Sequence, residues 1–293
     1  MRAAQPGTLL LADLPPNYPL MSSSLLVLTD FHQPASMALG YAATLAPPLG
    51  ARLLLLHAHR NSLADPELLT VGDSSLSTMV TQKAFASLTR GLPVPAVAEA
   101  AHGSVIDTVA EVIGRDHPEL LVLGRPADSS TPDELVSTTA LDLLRTTPYP
   151  MLVVPPTAPV VRAPRRLLLA VDGEPFSLGH HARMVRHLFQ ALKAEVTILY
   201  VSQTPASTPM LTAMASVLRT GLTIDLIRPP LTRHIIAPSP AAGILQAAQP
   251  GEFDLVMVIA RPRSFLGKLF HHSVTAQVLL HSAVPVLVLP AQA

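Results

Sequence analysis

Leu120–Pro155, LLVLGRPADSSTPDELVSTTALDLLRTTPYPMLVVP, decides the fold, because Leu255–Pro290, LVMVIARPRSFLGKLFHHSVTAQVLLHSAVPVLVLP, repeats it in the same order. Each copy runs from an apolar stretch through a Gly/Ala-Arg-Pro turn and a polar loop into an amphipathic segment, then a short apolar stretch closed by proline. One offset of 135 positions carries Thr138 onto Ser273, Leu144 onto Leu279, Pro150 onto Pro285 and Pro155 onto Pro290. Landmarks held in step in this way mark a duplication. Read physically, each copy is a buried strand, a loop, a helix and another buried strand. The apolar runs are short and bounded by Gly or Pro, as in parallel strands covered on both faces. In the first copy Ser137 or Thr138 can cap a helix whose apolar residues Ala140, Leu141 and Leu144 recur at helical spacing. A strand, a loop and a helix N-terminus together form a place where an anion can sit.

A chain of 293 residues suits two domains of about 140 residues each. Formal net charge is +0 and charged residues make up 14%, below the usual ~25%. That balance argues against a nucleic-acid partner, which calls for a basic excess. Cysteine is absent, so disulfides, zinc–thiolate sites and cysteine nucleophiles are excluded. The N-terminal stretch is broken by Asp13 and several prolines and is too short in apolar residues for a secretory signal. No run approaches the ~18 apolar residues of a membrane span. The expectation is a soluble cytoplasmic protein with no membrane partner.

Residues 1–22 read as an irregular extension, interrupted by proline and glycine. Residues 23–155 form a first domain. Its strands are expected at Leu25–Thr29, Arg52–His57, Pro95–Glu99, Glu119–Leu123 and Met151–Val154. Its helices are expected from Pro34 to about Ala46, where Pro47-Pro48 should stop the first, then Ser75–Arg90 and Ser104–Ile113. Residues 156–164 are a proline-rich linker, and residues 165–293 restart the order. There Arg166–Val171 and Glu195–Val201 are strands, Leu178–Lys193 is a helix, and Thr208-Pro209 starts another that ends before Gly221. Two pieces, LTIDLI and RHII, compete for the third strand between Leu222 and Ile236. Alternating βα units predict an α/β fold of two tandem, doubly wound, five-stranded parallel sheets. Two separate layers are expected rather than a single continuous sheet.

At this point the residues carry a resemblance. Each half resembles a universal stress protein domain, and the whole resembles the tandem members of that family. The marks are an apolar first strand ending in Asp (LLVLTD, LLLAVDGE), an acidic residue before the fourth strand (Glu119, Asp254), and a fifth strand of the form P-x-L-V-x-P. The resemblance implies a Rossmann-like fold and, in members that bind ATP, a G-x2-G-x9-G-[ST] pattern after the fourth strand. Such glycines let backbone N–H groups reach phosphate oxygens, and the hydroxyl adds a donor at the helix start. In the first half the positions are Gly124, Ala127, Ser137 and Thr138. In the second, Ala260 stands for the first glycine and His272-Ser273 for the Gly-Ser pair. Phosphate binding through the backbone is therefore expected to be weak or absent in both.

Charge separates the halves. Over residues 124–138, Arg125 against Asp128, Asp133 and Glu134 leaves −2; over residues 260–273, Arg261, Arg263 and Lys268 leave +3. An anion such as ATP with Mg²⁺ would be attracted only by the second loop. Fold logic puts the crevices beyond the carboxyl ends of the first and fourth strands, at Asp30 with Gly124 and at Asp172 with Ala260. The resemblance implies that Asp172, Gly173, Tyr200 and Val201 line the base and ribose side in the second half.

Other histidines have plainer readings. His57 and His59 lack a third partner for a metal, and His180-His181 are expected to be solvated helix residues. No P-loop, dinucleotide fingerprint, nucleophile elbow or HExxH motif occurs, so no catalytic residue can be named. Two functions follow. One is a non-catalytic stress-response module with degenerate nucleotide pockets, acting by association. The other is an ATP-binding or slowly hydrolysing protein that uses the basic second loop. Association has an evident route: the apolar final strands Met151–Val154 and Val286–Leu289 can pair with each other as a pseudo-two-fold monomer, or with a second chain as a homodimer.

Overall fold

The computed structural model describes residues 9–10, 23–59, 74–127, 139–159, 162–205, 208–261 and 273–292. A two-residue strand, β1 (Leu9–Leu10), precedes the first half. That half comprises β2 (Ser24–Leu28), α1 (Gln33–Leu49), β3 (Arg52–His59), α2 (Ser74–Thr89), β4 (Ala96–His102), α3 (Val105–Asp116), β5 (Leu120–Gly124), α4 (Thr139–Thr146) and β6 (Met151–Val154). The second comprises β7 (Arg166–Val171), α5 (His181–Ala191), β8 (Glu195–Ser202), α6 (Thr208–Thr220), β9 (Leu231–Ile236), α7 (Pro240–Ala247), β10 (Leu255–Ala260), α8 (Val274–His281) and β11 (Val286–Pro290).

The strands lie in one sheet of eleven, in the order β1-β4-β3-β2-β5-β6-β11-β10-β7-β8-β9. The expectation of two separate sheets is thereby corrected. Each half keeps its own parallel five-stranded order, but β6 and β11 pair antiparallel and join the halves. Leu152 and Leu287, equivalent under the repeat, lie opposite each other in that pairing and mark the pseudo-two-fold axis. The physical reason is edge chemistry: two apolar final strands would otherwise expose unpaired N–H and C=O groups. Because β6 also pairs with β5, and β11 with β10, neither keeps an edge for a second chain. Of the two routes expected for the final strands, pairing of the two halves within the chain is the one observed.

Period-two alternation explains the apolar runs. Leu25, Val27, Leu53 and Leu55 face one core layer, while Leu26, Leu54 and Leu56 face the other. Both layers extend across β6 and β11 into the second half. Burying such a leucine contributes about 1.5–3 kcal/mol, which favours strands covered on both faces.

Several local expectations shift. α1 continues through Pro47 and Pro48 to Leu49, because proline's φ is helical and its clash concerns only the preceding turn. Gly50, left-handed at φ 58°, ends the helix, with Gly50 N–H bonded to Pro47 O and Ala51 N–H to Ala46 O. α5 starts at His181 rather than Leu178, since Gly179 is left-handed. Of the two competing pieces, the later one forms β9, and residues 221–225 turn instead. α7 fills the helix place that the restarted order implies without giving its bounds: Ser239 caps it by accepting from Ala242 N–H, and Pro240 occupies its first turn. The extension is not wholly irregular, because Leu9 and Leu10 pair parallel with Val97 and Ala98 of β4. Among the described residues no helix is long and apolar enough to cross a membrane.

Candidate functional site

The first-half crevice opens where β2 and β5 end. Asp30 turns the chain there, its carboxylate accepting from His32 N–H at 2.9 Å. Phe31 follows in the left-handed region at φ 64°, a conformation that costs a non-glycine residue roughly 1–2 kcal/mol. Its ring is 4.4 Å, centroid to centroid, from His57 at the end of β3 and 5.4 Å from Phe85 of α2. That packing offsets the backbone cost. His57 is held by its Nδ1, 2.7 Å from Thr29 O.

Gly124 sits directly beneath the first turn of α1. A Cβ there would meet Pro34 O at 1.9 Å and Pro34 C at 2.2 Å. The glycine is thus required by the close approach of the helix, a packing role independent of any phosphate. Arg125 turns away and donates to Leu279 O at 2.7 Å, satisfying a carbonyl in the last turn of α8. Burial pulls its guanidinium below the ordinary range. Ala127 is exposed at the end of the described run, and Ser137 and Thr138 lie outside the described residues.

In the second half the connection after β7 is longer, spanning residues 172–180 before α5 begins. Asp172 and Arg261 meet across the crevice mouth. Arg261 donates Nε to Asp172 Oδ2 at 2.8 Å and Nη2 to Asp172 Oδ1 at 2.5 Å. It also donates to Glu174 O at 2.9 Å and Pro175 O at 3.0 Å, with the Glu174 carboxylate 3.7 Å from Nε. The hydrogen-bonded Asp172 raises the guanidinium further above its ordinary range, against the effect of burial. A planar fork committed to one carboxylate and two carbonyls presents little to an incoming anion.

The other candidates divide. Gly173 lies within the pinned loop. Tyr200 stacks on His234 of β9 with ring centroids 5.6 Å apart, on the core layer beneath α5 and α6. Val201 faces the opposite layer, where a Cβ at Gly243 of α7 would meet its Cγ1 at 2.4 Å. The structure therefore keeps the Tyr200 and Val201 side chains apart. Ala260 is fully buried and its carbonyl accepts from Ala291 N–H. Ser273 caps α8, its hydroxyl accepting from Ala276 N–H at 3.1 Å. Arg263 and His272 lie outside the described residues.

Sequence reasoning missed Phe31, Pro34, Glu174 and Pro175, the groups that occupy or bridge the crevice mouths. The signal for Phe31 was present, since TDFHQP puts an aromatic where VDGEPF has glycine. His181 also departs from its reading as a solvated residue. It is buried, edge-on to Tyr149 at 5.4 Å and 3.8 Å from the ring of His180. Desolvation, with the neighbouring His180, pushes its pKa down to about 4.

The universal stress protein family model matches residues 21–155 and again residues 164–290. Among solved structures, a universal stress protein from Archaeoglobus fulgidus DSM 4304 is 15% identical, with a TM-score of 0.69, covering 91% of this chain and 98% of that one. A functionally unknown protein from Pseudomonas aeruginosa PAO1 is 18% identical, with a TM-score of 0.59, covering 92% of each. These likenesses establish the fold. No curated protein matches the chain. With the family model matching both halves of a duplicated, doubly wound sheet, the chain belongs to the universal stress protein family, one domain in each half.

Proposed function

We propose that this protein is a non-catalytic regulatory member of the family, working in the cytoplasm, whose nucleotide crevices are degenerate and which acts by association. The observation that carries the reading is the commitment of Arg261 to Asp172 and to the carbonyls of Glu174 and Pro175. The basic second loop offered the best prospect for an anion, and its first cation is already used. In the first half, Pro34 against Gly124 and Phe31 against His57 support the same reading. The test is the nucleotide content of protein purified under native conditions and then acid-denatured. The expected result is far less than one nucleotide released per chain; stoichiometric adenine nucleotide would contradict it.

The alternative is binding or slow hydrolysis of ATP with Mg²⁺ by the second domain, which the net charge of +3 over residues 260–273, carried by Arg261, Arg263 and Lys268, favours. It requires Arg261 to exchange Asp172 for phosphate. Free guanidinium at low occupancy would then reduce apparent affinity by the fraction of open state.

A further inference from the structure

β9 is the outer strand at one end of the sheet, and no described strand pairs with its far side. Ala237 N–H donates to Ser202 O on β8. By alternation along the strand, the N–H and C=O groups of Thr232, His234 and Ile236 then point outward. The equivalent strand of the first half, β4, differs in two ways. It carries mostly alanine, and β1 pairs with its edge at Val97 and Ala98. Among the described residues the second-half edge is open, with Leu231 and Ile236 exposed on β9 itself. Among the described residues, six of the nine exposed large hydrophobics lie on α6, on β9 or in the segment between them: Leu211, Leu218, Ile224, Ile227, Leu231 and Ile236. Ile224 is 72% and Leu231 70% exposed. An edge is ordinarily protected by charge or cover, yet the one formal charge on β9 itself, Arg233, is paired within the chain; Asp225, in the turn before, is exposed. Arg233 pairs with Glu252 at 2.6 Å and Arg228 with Glu195 at 2.8 Å.

We propose that β9 is a self-association edge, where two copies of this chain pair antiparallel across a two-fold axis and continue one sheet into the next. With its single formal charge already paired, the strand β9 itself selects a neutral partner strand rather than a charged one, and a second copy of the same strand meets that requirement. The chain already joins two equivalent strands in this manner, at β6 and β11. A two-fold axis normal to the sheet keeps each residue on its own face, so opposed residues share parity. Centring the axis on His234 sets Thr232 opposite Ile236 and Arg233 opposite Ile235, and keeps the two Arg233 side chains from facing each other. This gives the association of the proposed reading a surface, and rests on that reading only to that extent.

Sedimentation velocity of the full chain over a concentration series tests it, and nucleotide content is a separate readout. The wild-type chain is expected to dimerise reversibly at micromolar concentration. Thr232→Pro removes an outward N–H without touching the β8 ladder, and Leu231→Lys with Ile224→Lys charges the exposed apolar surface. Each variant is expected to weaken dimerisation about tenfold or more, while Val80→Lys on α2 leaves it unchanged, with circular dichroism reporting an intact fold in all three. A wild-type chain that stays monomeric at every concentration, or a dimer that persists in both edge variants, overturns the proposal.

Discussion

Arg261 and Asp172 stand opposite each other across the mouth of the second-half crevice and are joined by two parallel hydrogen bonds. The residue that sequence charge marks as an anion lure is thus neutralised by the residue marked as a ligand contact. Asp172→Asn with Glu174→Gln should free the guanidinium, and tripolyphosphate affinity measured by calorimetry should rise. Arg261→Ala should give no such gain and should lower stability by about 1 kcal/mol, because an ion pair whose carboxylate is half exposed, as Asp172 is, is worth little more. An unchanged affinity in the double variant would mean that the pair does not close the site.

Gly124 is held small by Pro34. Gly124→Ala must push α1 off the sheet by more than an ångström of overlap, and overpacking costs typically about 1–3 kcal/mol. Urea unfolding checks this. A neutral result would mean that the helix gives way freely and that the glycine was kept for another reason.

Leu152 and Leu287 meet at the pseudo-two-fold axis, and both are almost wholly buried. Either changed to alanine should cost about 2–5 kcal/mol. The loss should appear as a lowered midpoint of a single transition, since both core layers cross this junction. Two separate calorimetric transitions in the wild type would show the halves to be uncoupled.

His181 titrates at about 4, against an ordinary 6.5, because burial opposes its charge. Between those values the unfolded chain binds a proton that the folded chain refuses, so stability falls as pH drops from 6.5 towards 4 and levels below it. The loss is on the order of 2–3 kcal/mol from this group alone. His181→Leu should flatten that part of the pH profile of urea midpoints. Asp254 adds a later step. Burial resists its ionisation, but Arg166 and the backbone N–H groups of residues 165 and 166 hold it down at about 2. Its contribution is present above the ordinary 3.8 and is lost as pH falls through about 2. A pH profile unaltered by His181→Leu would contradict the first assignment.

The duplication made most of the fold legible, because buried strands write themselves as short apolar runs and a repeat fixes their order twice. Its one-sheet continuity was harder to read. Pairing of Leu152 with Leu287 depends on where two edges meet in space, which an apolar strand alone does not specify. β9 was ambiguous because an edge strand such as LTRHII lacks the continuous burial that marks a central one. The site was legible as a set of positions but not as a state. Asp172 and Arg261 are 89 residues apart, and only the fold shows that they neutralise each other. Gly124 looked like a surviving phosphate glycine, and only Pro34 above it supplies the packing reason.

The central claim is that the chain's own groups hold both crevices shut against nucleotide. Calorimetric titration of the full protein with ATP and Mg²⁺ tests it most directly. The account predicts no binding tighter than roughly 100 µM, an affinity that would take about 5.5 kcal/mol of specific contacts. Tighter binding that disappears in the Arg261→Glu, Arg263→Glu double variant would contradict it and establish the basic second loop as a nucleotide site.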